Sequence, residues 1–132
     1  MGTVVKMQPW LGLEFDGTDS NGADAAQPSE DWLDLKEASE VALSVHIQER
    51  YPAASVQLVI QTAVVPEGPW SDVAVFDGDT PPVSTESKVF LTANAYGEEN
   101  KKFERYLRWM VKSEPLSSTV WSVCFKIDAI VR

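Results

Sequence analysis

The 132-residue chain has one cysteine and one histidine. A lone Cys124 allows neither an intrachain disulfide nor a cysteine zinc cage, so stability must come from apolar burial. Basic residues are scarce as well: 11 Lys and Arg against 20 Asp and Glu give a formal net charge of −9. That is the wrong sign for wrapping a nucleic-acid backbone or an anionic lipid surface. No apolar run approaches the roughly 18 residues of a membrane span, and Met1-Gly2-Thr3-Val4-Val5-Lys6 has no long apolar stretch behind a positive start. The expectation is a soluble chain, cytoplasmic at synthesis, with neither nucleic acid nor membrane as partner. Gly-rich phosphate loops, HExxH and GxSxG are absent. The chain is also too short for a Rossmann enzyme with a second domain or a barrel of eight βα units.

What is present is 44% hydrophobic residues, five Trp and eight Pro, enough for one compact domain. The acidity is concentrated at the front: residues 1–31 hold six acids and one base, net −5, and residues 32–132 hold fourteen acids and ten bases, net −4. Asp16 to Pro28 is a run of turn formers and small residues that reads as a mobile acidic loop. Trp10, Leu11, Leu13 and Phe15 before it form an apolar segment able to add a strand to a sheet. The expected organisation is an N-terminal arm with an acidic loop over 1–31 and a single β-sandwich domain over 32–132. Deleting the arm should leave that domain folded.

From Trp32 onward, short alternating segments are separated by Pro, Gly and Asp clusters, the spacing of an antiparallel sandwich or barrel. Val41, Leu43, Val45 and Ile47 alternate with small or polar residues, and Val56, Leu58, Ile60 and Thr62 do the same after the break at Tyr51-Pro52. These two read as strands of one hairpin. Trp70, Val73 and Val75 give an edge-like segment, and Val89, Leu91 and Ala93 share one face of a further strand. Leu107, Trp109 and Val111 alternate with Tyr106, Arg108 and Met110, and Trp121 to Val131 supplies a long central strand. Ser29 to Glu40 has helix-capping features, but Trp32-Leu33-Asp34-Leu35 alternates, which favours strand plus turn over a short helix. The fold class expected is all-β: an antiparallel, jelly-roll-like sandwich.

Candidate chemistry is thin. His46 falls on the polar face of its strand, where a catalytic dyad would need a partner from across the sheet. Cys124 lies opposite the apolar side of the last strand beside Ser122 and Lys126, the position of an ordinary small residue. The acidic loop fails as a calcium site of the EF-hand type, because placing Gly22 at position six puts Gly17 at one and Pro28 at twelve. No cofactor or metal is expected. Trp109 and Trp121 sit on apolar faces and read as core, while Trp10, Trp32 and Trp70 stand near strand ends. Tyr106, Arg108 and Met110 form an outward stripe of residue types enriched at interface centres. With Trp10, Leu11, Leu13 and Phe15 they make up the expected partner-binding set.

Three runs in this order carry a resemblance: Leu58-Val59-Ile60-Gln61-Thr62-Ala63; Trp70-Ser71-Asp72-Val73 with Phe76; and Arg105-Tyr106-Leu107-Arg108-Trp109 before a closing apolar strand. Together they resemble small all-β accessory proteins encoded near virion structural genes of tailed phages and prophages. The resemblance covers about residues 41–131. It departs from the pattern at Ala63, where serine is more usual, and at Pro66 to Pro69, which lacks an Asp-Gly turn. It implies a non-enzymatic jelly-roll-like protein that coats, cements or caps a capsid or capsid-like particle. Its partners would be further copies of itself and a major coat protein or another large protein assembly. The alternative is a carbohydrate-binding sandwich, with Trp32, Trp70 or Tyr96 stacking on sugar faces.

Overall fold

Strict alternation of apolar with polar residues gives strands with one buried face, and ten strands follow among the described residues of a computed structural model. It describes residues 3–15, 25–35, 38, 40–51, 56–77, 80–81, 83–92, 102–113 and 121–132. In chain order they are β1 (Thr3–Phe15), β2 (Ala25–Ala26), β3 (Leu33–Asp34), β4 (Glu40–Tyr51), β5 (Val56–Ala63), β6 (Ser71–Phe76), β7 (Ser84–Thr92), β8 (Lys102–Phe103), β9 (Tyr106–Ser113) and β10 (Trp121–Val131). A 3₁₀ turn spans Ser29–Asp31. No helix among the described residues is long and apolar enough to cross a membrane.

The strands form two sheets. The first runs β1-β10-β4-β7-β8 and the second β2-β9-β5-β6, with β3 also paired to β9. Pairing is antiparallel except between β7 and the two-residue β8. Taking β2 and β3 as one interrupted strand and setting β8 aside, the remaining eight strands have the order of a jelly roll. β4 and β5 therefore do not form the expected hairpin. β4 pairs with β10 and β7, whereas β5 pairs with β6 and β9 in the opposite sheet. Alternation fixes which face of a strand is buried but not its neighbour, and the break at Tyr51-Pro52 serves a crossing between layers as well as a turn.

The core lies between the layers. Val41, Leu43, Val45 and Ile47 of β4 and Trp121, Val123, Phe125, Ile127 and Ala129 of β10 face Leu58, Ile60, Leu107 and Val111 of the second sheet. Trp109 meets Phe125 edge to face at 5.1 Å. Each large side chain buried this way contributes about 1.5–3 kcal/mol. Residues 3–15, read from the sequence as an anchored arm, pair with β10 from Thr3↔Val131 to Phe15↔Trp121 as an edge strand. Met7 is buried, and Leu11 and Leu13 pack against the core. Register shifts on either side of Gln8 bulge this edge, which discourages pairing with another chain.

A third bulge redirects a charge. Cys124 faces Glu49 but Phe125 faces Ile47, so Gln48 is an extra residue in β4. Parity shifts there, Glu49 turns to solvent and Arg50 turns inward, 2% exposed. The guanidinium donates to the carbonyls of Val56 at 3.2 Å and Phe76 at 2.7 Å and to that of Thr80. One β4 side chain thus ties the first sheet to both ends of the β5–β6 unit. Burial pushes its pKa down from the usual guanidinium range, and nearby Asp77 pulls it back up.

Between Ser29 and Glu40 the chain forms the 3₁₀ turn and then β3, so the expected strand is present but only two residues long. β6 is the edge of the second sheet, as expected, with Val73 as an extra residue between Asp72 and Ala74 in its register against β5. That bulge leaves Val75 exposed while Phe76 is buried. Of the acidic loop read from Asp16 to Pro28, residues 16–24 lie outside the described residues, as do Ala93, Tyr96 and the loop from Gly97 to Lys101. Its end is not a loose loop: Ala25–Ala26 form β2 and Gln27 is buried.

Candidate functional site

The outer face of the second sheet carries a connected cluster of aromatic and polar side chains. It is organised around β5, the strand between β9 and β6. Gln61 of β5 faces Arg108 of β9 on one side and Asp72 of β6 on the other. The pairing aligns the three side chains in one row. Arg108 Nε donates to Gln61 Oε1 at 2.9 Å, and Gln61 Nε2 donates to Asp72 Oδ1 at 2.9 Å. Lys112 Nζ closes the row at 3.7 Å from the same Asp72 oxygen. Gln61 is on the outward side of its strand yet buried, so the row has a floor and is not a set of loose surface side chains.

Two tryptophans lean over this row from opposite edges of the sheet. Trp32 follows the 3₁₀ turn beside β3, and Trp70 immediately precedes β6. Their rings meet at 4.7 Å with an interplanar angle of 70°. The Arg108 guanidinium lies 4.0 Å from the centroid of Trp70 and 5.6 Å from that of Trp32, within cation–π range. Both rings are half-buried. Burial on this face pushes the Arg108 pKa down, because the rings remove water from the cation without supplying a counter-charge. At one end of the face Arg105 holds Asp34 through two parallel hydrogen bonds of 2.9 and 3.0 Å and lies 5.0 Å from the Tyr106 ring.

The two tryptophans are held from below. Gly68 has φ of +91°, and a Cβ there would stand 3.0 Å from Trp70 Cδ1. Only glycine suits both the backbone angle and the close approach. Trp32 Nε1 donates to the Gln27 carbonyl at 2.8 Å. Gln27 is itself 2% exposed. Its Nε2 donates to the carbonyls of Met7 and Asp31, each at 2.9 Å, and its Oε1 accepts from the Trp109 amide at 3.2 Å. The side-chain amide links β1, the 3₁₀ turn and β9, and the backbone carbonyl of the same residue holds Trp32.

The residues singled out from the sequence divide between two faces. Tyr106, Arg108 and Met110 are all on the outer side of β9 and half-buried, with Arg108 at the centre of the cluster. Trp10 is 52% exposed on the other sheet, with Lys126 Nζ 5.4 Å from its ring. Leu11 and Leu13 face the core, and the side chain of Phe15 lies outside the described residues. The N-terminal residues and the β9 stripe therefore belong to different sheets and do not form one surface. His46 is half-buried between two hydroxyls, Ser44 Oγ at 3.2 Å from Nε2 and Thr85 Oγ1 at 3.3 Å from Nδ1. The Nδ1 side, where an orienting carboxylate would sit in a triad, is taken by the Thr85 hydroxyl. Cys124 Sγ lies 3.5 Å from Gln48 Oε1 on that same outer face. No group of three or more His, Cys, Asp or Glu suited to a metal ion occurs among the described residues.

No protein-family model matches this chain, and no curated protein matches it in sequence. Solved structures similar to it are diverse. The cleaved adhesin domain of Lys-gingipain from Porphyromonas gingivalis is 8% identical, covering 98% of this chain and 97% of that one, with a TM-score of 0.47. A xylan-binding module is 11% identical over 99% and 97%, at 0.45. The empty particle of cowpea mosaic virus is 12% identical over 95% and 75%, at 0.37. Likenesses this distant carry no information on what the chain binds.

Sequence reasoning named Trp32 and Trp70 only under the carbohydrate-binding alternative and did not single out Gln27, Gln61 or Asp72 as site residues. The alternation of β5 and β9 placed Gln61 and Arg108 outward, but only the register shows that they are neighbours. Gln27 lies in a Pro-flanked stretch where polar residues are normally solvated, and no local pattern distinguishes a buried amide from an exposed one.

Proposed function

We propose that this chain is a non-enzymatic β-sandwich that binds carbohydrate on the outer face of its second sheet. One observation carries the reading: Trp32 and Trp70 converge beside a hydrogen-bonded row of Arg108, Gln61 and Asp72 drawn from three adjacent strands. A pyranose ring has an apolar C–H face and a rim of hydroxyls. Half-exposed indole takes the first, and amide, carboxylate and guanidinium groups take the second. Because the row rests on paired strands, it is organised before the ligand arrives, which limits the ordering cost of binding. Titration of a broad glycan panel should give a saturable change in tryptophan fluorescence that Trp70→Ala weakens by roughly tenfold or more. A flat response across the panel would remove the reading.

A second reading is favoured by the Tyr106, Arg108 and Met110 stripe, whose residue types are those of protein-interface centres. In it the chain is a structural protein that self-associates and coats, cements or caps a capsid or capsid-like particle. Size fractionation of a native lysate separates the two. Recovery of the chain in a particle far heavier than a small oligomer supports assembly, and recovery as a free chain or small oligomer removes it.

A further inference from the structure

Arg108 lacks the carboxylate partner that four other cations of the described residues have. Arg105, Lys112, Lys126 and Arg132 each stand within 4 Å of a carboxylate. Among the described residues Arg108 meets only the Gln61 amide oxygen and the two indole rings. Asp72 is on the far side of Gln61, whose amide receives from Arg108 and donates to the acid. The guanidinium thus spends its Nε–H on Gln61 and has its four Nη protons left, in a half-buried position flanked by aromatic surface. A planar, desolvated fork of this kind is matched by a carboxylate.

We propose that Arg108 receives a carboxylate carried by the bound sugar, so that the ligand of this face is a uronic-acid glycan. The inference rests on the carbohydrate reading above and narrows it. In a hexuronate the carboxylate is attached to the same ring that presents the C–H face. One residue of such a glycan therefore meets the indoles and, at its edge, the guanidinium lying 4.0 Å from the Trp70 centroid. A neutral sugar would leave the Arg108 charge unmatched. An acidic protein side chain would match the charge without offering a ring face to the tryptophans. The net charge of −9 repels a polyanion at long range, but this is screened beyond about 8 Å at physiological ionic strength, while contact at Arg108 is not.

The test uses the full chain and two pairs of probes: oligogalacturonate and oligoglucuronate, each beside its own methyl ester. Esterification removes the charge and keeps the ring. Tryptophan fluorescence and calorimetry should show at least one free acid binding roughly tenfold or more tighter than its ester. Arg108→Gln should abolish that preference and Arg108→Lys retain part of it, with thermal melts confirming that both variants are folded. Equal binding of acid and ester by the wild-type chain would overturn the inference and leave the carbohydrate reading standing. Preference for neutral glycans elsewhere in the panel would do the same. Binding of no glycan at all would overturn both, and Arg108-dependent recovery in a large particle would then assign the face to a protein partner.

Discussion

Arg50 offers the sharpest quantitative test of the fold. Replacing it with Met keeps most of the volume and removes three hydrogen bonds, to the buried carbonyls of Val56 and Phe76 and the half-buried one of Thr80. A hydrogen bond from a charged donor is worth about 1.5–3 kcal/mol, so three sum to roughly 4.5–9 kcal/mol. Against this, the variant no longer desolvates a guanidinium, a saving of several kcal/mol. The net expected loss is about 3 kcal/mol, a large share of the roughly 5–15 kcal/mol that stabilises a domain. At about 4 °C per kcal/mol for a chain of this size, Tm should fall by about 12 °C. Guanidinium denaturation followed by tryptophan fluorescence, alongside calorimetry, measures both. Glu49→Gln is the matched control: the bulge at Gln48 turns Glu49 outward, so its replacement should change stability by less than about 0.5 kcal/mol. An Arg50→Met variant within 1 kcal/mol of wild type, or a Glu49 variant as damaged as the Arg50 one, would refute the reasoning.

Three further outcomes are expected. Gln27→Ala, which strips three side-chain bonds from a buried site, should cost about 2–3 kcal/mol in a denaturant titration and move the Trp32 indole signal in NMR. Gly68→Ala forces a side chain into a left-handed backbone angle 3.0 Å from Trp70. It should lower stability by about 1–2 kcal/mol and weaken glycan binding through displaced Trp70, both readable in one fluorescence experiment. Removing residues 1–15 takes away an edge strand that covers β10 along most of its length, so the truncated chain should lose cooperative unfolding in calorimetry. A sharp, near-wild-type transition would instead bear out the reading of a separable arm.

Much of the fold was legible wherever burial is one-sided. In β4 as far as Ile47, and in β9 and β10, the buried residues fall on the faces that period-two alternation assigns, and Trp109 and Trp121 are core as read. Partner choice was not legible, because a strand with the right face can pair with any other. β4 and β5 show it: adjacent in sequence, separated by a break, and yet placed in opposite layers. Bulges defeat alternation in a second way. Extending the β4 pattern past Ile47 puts Glu49 inside and Arg50 outside, and one extra residue at Gln48 inverts that. The short elements β2, β3 and the 3₁₀ turn have too few residues to show a period. They are fixed by tertiary bonds, such as those of Gln27. At the candidate site the β9 stripe was readable and its centre, Arg108, was among the residues picked. The tryptophans beside it come from 76 and 38 positions earlier in the chain, a proximity that only the sheet order supplies.

The most direct test of binding on the second sheet is an ¹⁵N correlation spectrum of the five tryptophan indole N–H groups, recorded during glycan titration. Two signals, those of Trp32 and Trp70, should move and saturate together. Those of buried Trp109 and Trp121 and of Trp10 on the opposite sheet should stay in place. Saturable movement confined to Trp10, or no movement of Trp32 and Trp70 with any glycan, would contradict a binding site on this face.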